Sequence, residues 1–354
     1  MPAAKRSKKP SRPLAGKVAV VAGATRGAGR GIARGLGEAG ALVYCTGRST
    51  RGHLSAYGRP ETIDATVEMI EAVGGKAIAI RVDHTVESEV EALFARVDKE
   101  QGRIDILADS VAGEDPMMSQ WASFWKADLT NAEAIFRQAI LSHIITAKHA
   151  APIMIRQGSG LIAEVTESDI FGAGGTPLSW TVKLALKGLA LNMASELKGH
   201  GVTAVAITPG FLRSESMLQH QGVTEANWRD AGSHDKNFFE SESPLFIGRA
   251  VAALAQDPDV SKHAGQLLSS WELSRKYKFN DHDGRRPDWG RLAIDFSGLP
   301  ESFVDVFRTG CQLQIEWLKT VEQRTREMLA KVPRKPAAKA RAKPLKFKKG
   351  SRTR

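Results

Sequence analysis

The segment Gly23-Ala24-Thr25-Arg26-Gly27-Ala28-Gly29 lies between a short apolar run and an amphipathic one. Glycines in such a place let the backbone approach a pyrophosphate, and the start of a helix offers free N–H groups and the positive end of its dipole. The implied chemistry is dinucleotide binding, and a strand before with a helix after is the context this pattern needs. NAD-binding sites usually place an acid at the end of the next strand to hold the ribose 2′-hydroxyl. Here that place reads Cys45-Thr46-Gly47-Arg48, with no acid. Arg48 and Arg26 instead suit charge-assisted, bidentate contacts to a 2′-phosphate, so the cofactor expected is NADP(H). The two cysteines, Cys45 and Cys311, are far apart and match no zinc or disulfide spacing. No metal site is expected, and two buried thiols in a reducing compartment account for them.

These residues are carried by a regular alternation of elements. Short β-branched runs at 17–22, 41–46, 76–82, 104–108, 160–166 and 202–208 read as strands, with a seventh at 266–270. Between them lie helical stretches at 27–40, 60–74, 87–101, a long one ending at 156, and 177–198. In the second of these, Ile63, Val67, Ile70 and Val73 share one face. Near-continuous apolar strands alternating with helices imply an α/β fold: a doubly wound parallel sheet, the Rossmann arrangement, covered on both faces. Residues 211–243 lack periodicity and read as a flexible loop region. A charged stretch, LSRKYKFNDHDGRRPDWGR, and a helical segment at 301–332 follow the last strand.

The glycine spacing is G-x-x-x-G-x-G, and in this it resembles the short-chain dehydrogenase/reductase family, whose first turn commonly reads TGxxxGxG. Other landmarks agree in order over roughly residues 14–270. The resemblance implies that Gly23, Thr25, Arg26, Gly27 and Gly29 form the pyrophosphate turn and that Asp83 contacts adenine. It further implies that Pro209-Gly210 and Ser214 flank the nicotinamide, and that Lys183 holds the ribose. Family members preferring NADP put arginines where Arg26 and Arg48 stand. The segment SSWELSRKYKFNDHDGRRPDWG is similar to an extension of one divergent subgroup.

The catalytic positions depart from the family. Its motif is Tyr-x-x-x-Lys, and four residues before Lys183 stands Ser179. The three tyrosines, Tyr44, Tyr57 and Tyr277, lie elsewhere in the sequence, and the longer Tyr-x₆-Lys spacing meets Thr176. Thr166 stands where the family has its catalytic serine. The family's Asn-Asn-Ala-Gly is replaced by Asp109-Ser110-Val111-Ala112-Gly113, longer by one, and its active-site asparagine falls at Ala139. In the family the tyrosine exchanges a proton with the substrate oxygen, and the lysine lowers its pKa. A phenol near pKa 10 is within reach of such tuning, whereas an aliphatic alcohol is far less acidic. Positioned acid–base groups contribute about 10²–10⁴-fold, so the usual mechanism is weakened. Candidate replacement acids are Glu164, Glu167 and Asp169 near the end of the fifth strand, and His143. The bland alternative makes them surface acids and a helix-packing histidine.

The net charge of +11 is carried by the ends of the chain. Residues 1–13 and 331–354 contain sixteen Lys or Arg and no acid, which leaves −5 for 14–330. These tails, with few apolar residues, are expected to be disordered, and to keep the protein soluble or to bind anionic polymers weakly. The longest early apolar stretch, Val18 to Ala24, is too short for a membrane span of about 20 residues. The expected organisation is a tail at 1–13, a dinucleotide-binding domain at 14–270, an extension at 271–330 and a second tail. Function is then expected to be NADP(H)-dependent hydride transfer to or from a small carbonyl or alcohol, by a cytoplasmic homodimer or homotetramer. The rival is a cofactor-binding pseudoenzyme acting as sensor or scaffold, and a nucleic-acid-associated protein acting through its basic tails is the third possibility.

Overall fold

The structure, a computed structural model, describes residues 12–55, 57–113, 117, 123–167 and 176–291, with eight further positions between 316 and 328. The chain divides into two units, Met1–Leu299 and Pro300–Arg354. In the second, the described residues from Glu316 to Met328 are helical, and Thr320 Oγ1 donates to the Glu316 carbonyl at 2.9 Å. Both expected tails, apart from Arg12 and Pro13, lie outside the described residues.

In the first unit seven parallel strands run β1 (Val18–Ala22), β2 (Leu42–Gly47), β3 (Lys76–Arg81), β4 (Ile106–Asp109), β5 (Gly160–Val165), β6 (Val202–Thr208) and β7 (Leu267–Ser269). Their order in the sheet is β3-β2-β1-β4-β5-β6-β7, so the order reverses between β1 and β4. A crevice for a ligand opens at such a reversal, beyond the carboxyl ends of the strands.

Strand side chains alternate between the faces, and each face is covered. On one side Ala19, Val21, Ile106 and Ala163 pack under α1 (Gly27–Glu38) and later helices, through Ile32, Leu36, Ile247 and Val251. On the other, Val20, Tyr44, Leu107 and Ile162 meet α3 (Glu87–Gln101) and α5 (Ser142–Gln157), through Phe94, Val97, Ile153 and Met154. The remaining helices are α2 (Ile63–Ala72), α4 (Ala132–Phe136), α6 (Pro177–Glu196), α7 (Glu215–His220), α8 (Pro244–Leu254) and α9 (Ser270–Tyr277). A π-helical turn, Arg137–Leu141, joins α4 to α5 without a gap, so the long helical region expected to end at 156 is present, with a π bulge inside it.

Helices α1 and α8 touch backbone to backbone. A Cβ at Gly31 would lie 1.6 Å from the Pro244 carbonyl oxygen, and one at Gly248 would lie 2.0 Å from that of Gly31.

Two expectations change. Residues 211–243 are not an open loop: α7 and two 3₁₀ turns, Trp228–Ser233 and Lys236–Glu240, enclose their own apolar cluster of Trp228, Ala231 and Phe238. Apolar residues gathered from short turns leave no helical or strand period in the sequence. Residues 271–291 belong to the first unit, with Trp271, Leu273 and Asp281 buried. Asp281 accepts from Ser243 N at 2.8 Å, and Arg213 stacks on Trp228 at 4.2 Å while donating to the Ser241 carbonyl at 2.6 Å. The charged stretch is thus held by buried ion pairs that composition alone reads as solvated.

Candidate active site

The glycine turn stands at the sheet's reversal. Gly23 has φ +78°, and a Cβ there would fall 2.3 Å from the Ser110 carbonyl oxygen, so only glycine lets β1 and the segment after β4 meet so closely. Arg26 is the extended residue before α1, and Gly27 opens the helix. The Gly27 N–H donates to Glu215 Oε2 at 2.8 Å, while Glu215 Oε1 accepts from Arg30 at 3.0 Å. Glu215 thereby ties α7 to the glycine turn, a contact that sequence spacing gives no sign of.

Arg48, at the end of β2, approaches Gly113: its Nη2 is 3.1 Å from where a Cβ of that glycine would be. Each candidate phosphate-binding arginine also faces a carboxylate. Arg26 Nε is 3.4 Å from Glu61, which also bonds Arg59, and Arg48 is 3.9 Å from Asp83. Burial pushes the Glu61 carboxyl up, but Arg59 and Arg26 outweigh it and hold it below the usual range. Asp83 is likewise held low against its burial, by Thr85 and then Arg48. Its Oδ1 accepts from Thr85 N at 2.9 Å and from Thr85 Oγ1 at 2.7 Å.

Across the sheet, Thr166 follows β5 and donates through Oγ1 to the Lys183 carbonyl at 2.9 Å, which brings β5 against α6. Ser179 sits one turn before Lys183, in the first turn of that helix. Thr176 caps the helix, and the Ser179 hydroxyl is folded back on it: Ser179 Oγ accepts from Thr176 Oγ1 and donates to the Thr176 carbonyl, both at 3.0 Å. Ala139, in the π-helical turn, is buried with Ile135 and Val182. After β6, the Gly210 N–H donates to the buried Glu242 at 2.9 Å, and Trp289 packs on Gly210. Ser214 caps α7, accepting from Met217 N at 3.2 Å.

The candidate replacement acids are dispersed. Glu167 is exposed, and Asp169 lies outside the described residues. Glu164 is not a surface acid: it is fully buried, next to Asp109 in the β4–β5 register, and both face His143. His143 Nδ1 is 2.6 Å from Glu164 Oε2 and 3.4 Å from Asp109 Oδ1, and its Nε2 is 2.9 Å from the Val111 carbonyl. The three donor atoms lie within 4.8 Å of one another, the one such metal-type grouping among the described residues. Burial depresses the imidazole, but the two carboxylates outweigh it and raise it to about 9. Burial and then Glu164, opposed by His143, hold the Asp109 carboxyl well above its ordinary range. A signal was present in the sequence: a lone acid stands within the last two residues of each of two otherwise apolar strands that are covered on both faces.

The family model for short chain dehydrogenase matches residues 17–223. The chain belongs to the short-chain dehydrogenase family. Among the family's curated members, the mouse (Mus musculus) protein named dehydrogenase/reductase SDR family member 1 is 35% identical over 282 residues, covering 77% of this chain and 85% of the relative. The human (Homo sapiens) protein of that name is 33% identical over 285 residues, with the same coverage of both chains. The fold matches the crystal structure of hydroxysteroid dehydrogenase from Escherichia coli with a TM-score of 0.57 at 24% identity, over 72% of this chain and 95% of that one. Among the described residues, no helix is long and apolar enough to cross a membrane.

Proposed function

We propose that this short-chain dehydrogenase family member is an NADP(H)-dependent oxidoreductase, moving a hydride to or from a small carbonyl or alcohol substrate through an altered active site. One observation carries the cofactor choice: β2 ends at Gly47 and runs into Arg48 with no acid at its tip, while the glycine turn carries a second arginine, Arg26. The residues fit such a ligand. Arg26 Nε makes no hydrogen bond and is held only by the 3.4 Å ion pair to Glu61, so it has a donor to offer an incoming phosphate oxygen. When bound, the nicotinamide supplies or accepts the hydride.

Resemblance to the family supports the roles of the chain's own groups. The glycine turn receives the pyrophosphate at the start of α1, and Arg48 and Arg26 receive the 2′-phosphate. Asp83 lies on the adenine side, Lys183 on the ribose, and Pro209, Gly210 and Ser214 on the nicotinamide. Thr166 orients the substrate oxygen. Ser179 is a poor proton donor for two reasons: an aliphatic hydroxyl is far weaker than a phenol, and this one is committed to the helix cap. Assembly as a homodimer or homotetramer, and weak binding of anionic polymers by the basic tails, belong to the same proposal.

Titration with NADPH and NADH tests it. A hydrogen bond to a charged group is worth about 1.5–3 kcal/mol, so a roughly tenfold to hundredfold preference for NADPH is expected, much of it lost in Arg48→Ala. Equal affinities would sink the 2′-phosphate assignment. Single-turnover oxidation of NADPH against a carbonyl panel separates the enzyme from a binding module without turnover. The relatives' names, dehydrogenase and reductase, favour the enzyme.

A further inference from the structure

The segment Asp109–Gly113, which starts on the last residue of β4, is one residue longer than the family pattern, and side chains from several elements hold it. Val111 N donates to Asp109 Oδ1 at 3.2 Å, and the Val111 carbonyl faces His143 Nε2 at 2.9 Å. Gln138 donates to the Ala112 carbonyl at 3.2 Å, and Tyr57 to that of Gly113. The upper side of the same segment forms the cradle: Ser110 lies against Gly23 and Gly29 of the glycine turn, and Arg48 lies against Gly113.

His143 is the keystone of this clamp, and its two carboxylate neighbours favour a charged ring. A carbonyl only accepts, so Nε2 carries a proton. Nδ1 then faces two carboxylates in a site without solvent, with Asp109, His143 and Glu164 all at 0% exposure. Two bare carboxylates and a neutral ring would leave two uncompensated buried charges, which is prohibitively costly. Asp109 Oδ2 and Glu164 Oε1 are each buried without a partner, so the cluster is short of protons rather than of acceptors. The titratable groups facing His143 are Asp109 from β4, Glu164 from β5 and, beyond Thr146, His84. Burial drives His84 down to about 3, so it stays neutral and supplies no compensating charge.

We propose that His143 is a positioning residue for dinucleotide binding: an imidazolium held between Glu164 and Asp109 that fixes the Val111 peptide and so shapes the cradle between the glycine turn and Arg48. The proposal rests on the dinucleotide-binding role assigned above.

The test compares wild type with His143→Gln and with His143→Gln/Glu164→Gln, by NADPH titration across pH and by nitrogen NMR of histidine-labelled wild type. The wild-type ring should carry protons on both nitrogens at neutral pH, and NADPH affinity should weaken as pH rises through about 9. Loss of a charged hydrogen bond should weaken NADPH binding by His143→Gln about tenfold or more at neutral pH, and should remove the alkaline step. The double variant should recover part of the loss, because it buries one carboxylate fewer than His143→Gln.

A neutral ring in the wild type overturns the proposal even if neither variant folds. So does a divalent cation found by elemental analysis of the purified protein, because a metal on Nδ1 excludes its proton. A folded His143→Gln with wild-type affinity and pH profile sinks the proposal alone. Failure of wild type to bind either dinucleotide sinks the functional assignment, and this proposal with it.

Discussion

Ser179 illustrates how one residue can carry the right spacing and the wrong chemistry. Its hydroxyl is spent on Thr176, and the asparagine position of the family is filled by Ala139 in an apolar cluster. If the helix presents residue 179 as the family does, Ser179→Tyr returns a phenol one turn before Lys183. Carbonyl reduction should rise by ~10²-fold, the lower range for a positioned acid, and adding Lys183→Met should remove the gain. Steady-state rates on a carbonyl panel decide this. Unchanged rates in a folded, NADPH-binding variant, beside a wild type that turns one substrate over well, would place proton transfer elsewhere, with exposed Glu167 the first residue to examine. The spacing of Ser179, Lys183 and Thr166 was legible in the sequence because α6 and β5 are regular. The inward turn of Glu164 onto His143 was half legible. Its place near the end of the fifth strand was read, but its partner comes from a helix some twenty residues away in sequence, which no local pattern encodes. Glu61 beside Arg26 was not legible, since it arrives from an irregular approach to α2.

At the scale of elements, Glu242 joins three of them. Its Oε2 accepts from Gly210 N, just after β6, and from Ser270 at the start of α9, and its own segment leads into α8. Burial, reinforced by Asp281 and opposed by Ser270, Gly210 and Arg213, raises its carboxyl to about 8. The sign follows from linkage. A carboxyl bound more tightly to its proton in the folded state adds stability that is complete below the unfolded pKa of about 4.5 and lost as pH rises through about 8. Glu242→Gln keeps an acceptor for Gly210 and does not titrate. The melting temperature of the variant minus that of wild type should therefore climb between about pH 5 and about pH 9, as measured by thermal denaturation. A constant difference would mean that Glu242 is ionised in the folded protein. The strands and long helices around this junction were plain from their periods. The junction itself was not, because residues 211–243 pair with 271–291 through buried charges such as Arg213 and Asp281, and charge in a sequence reads as surface.

For the molecule as a whole, acid stability should be governed in part by His84. Burial first, then His143 and Arg48, lower its imidazole to about 3, and Thr46 and Thr146 each lie 2.8 Å from one ring nitrogen. A base depressed on folding contributes stability that is present above its unfolded pKa of about 6.5 and lost as pH falls toward about 3. His84→Gln should be less stable near neutrality but should fall away less steeply on the acid side. Melting curves of the two proteins that stay parallel from about pH 7 to about pH 4 would show that His84 is not buried neutral.

The contact between α1 and α8 has a further consequence, for descent rather than for chemistry. Where a Cβ at Gly31 would strike the Pro244 carbonyl and one at Gly248 would strike that of Gly31, neither helix can acquire a side chain unless the other withdraws. Withdrawal of α8 would carry away Ser243, and with it the anchor for Asp281. Side chains on the outer faces of these helices can therefore change without moving either one, whereas a change at either glycine of the crossing forces the helices apart.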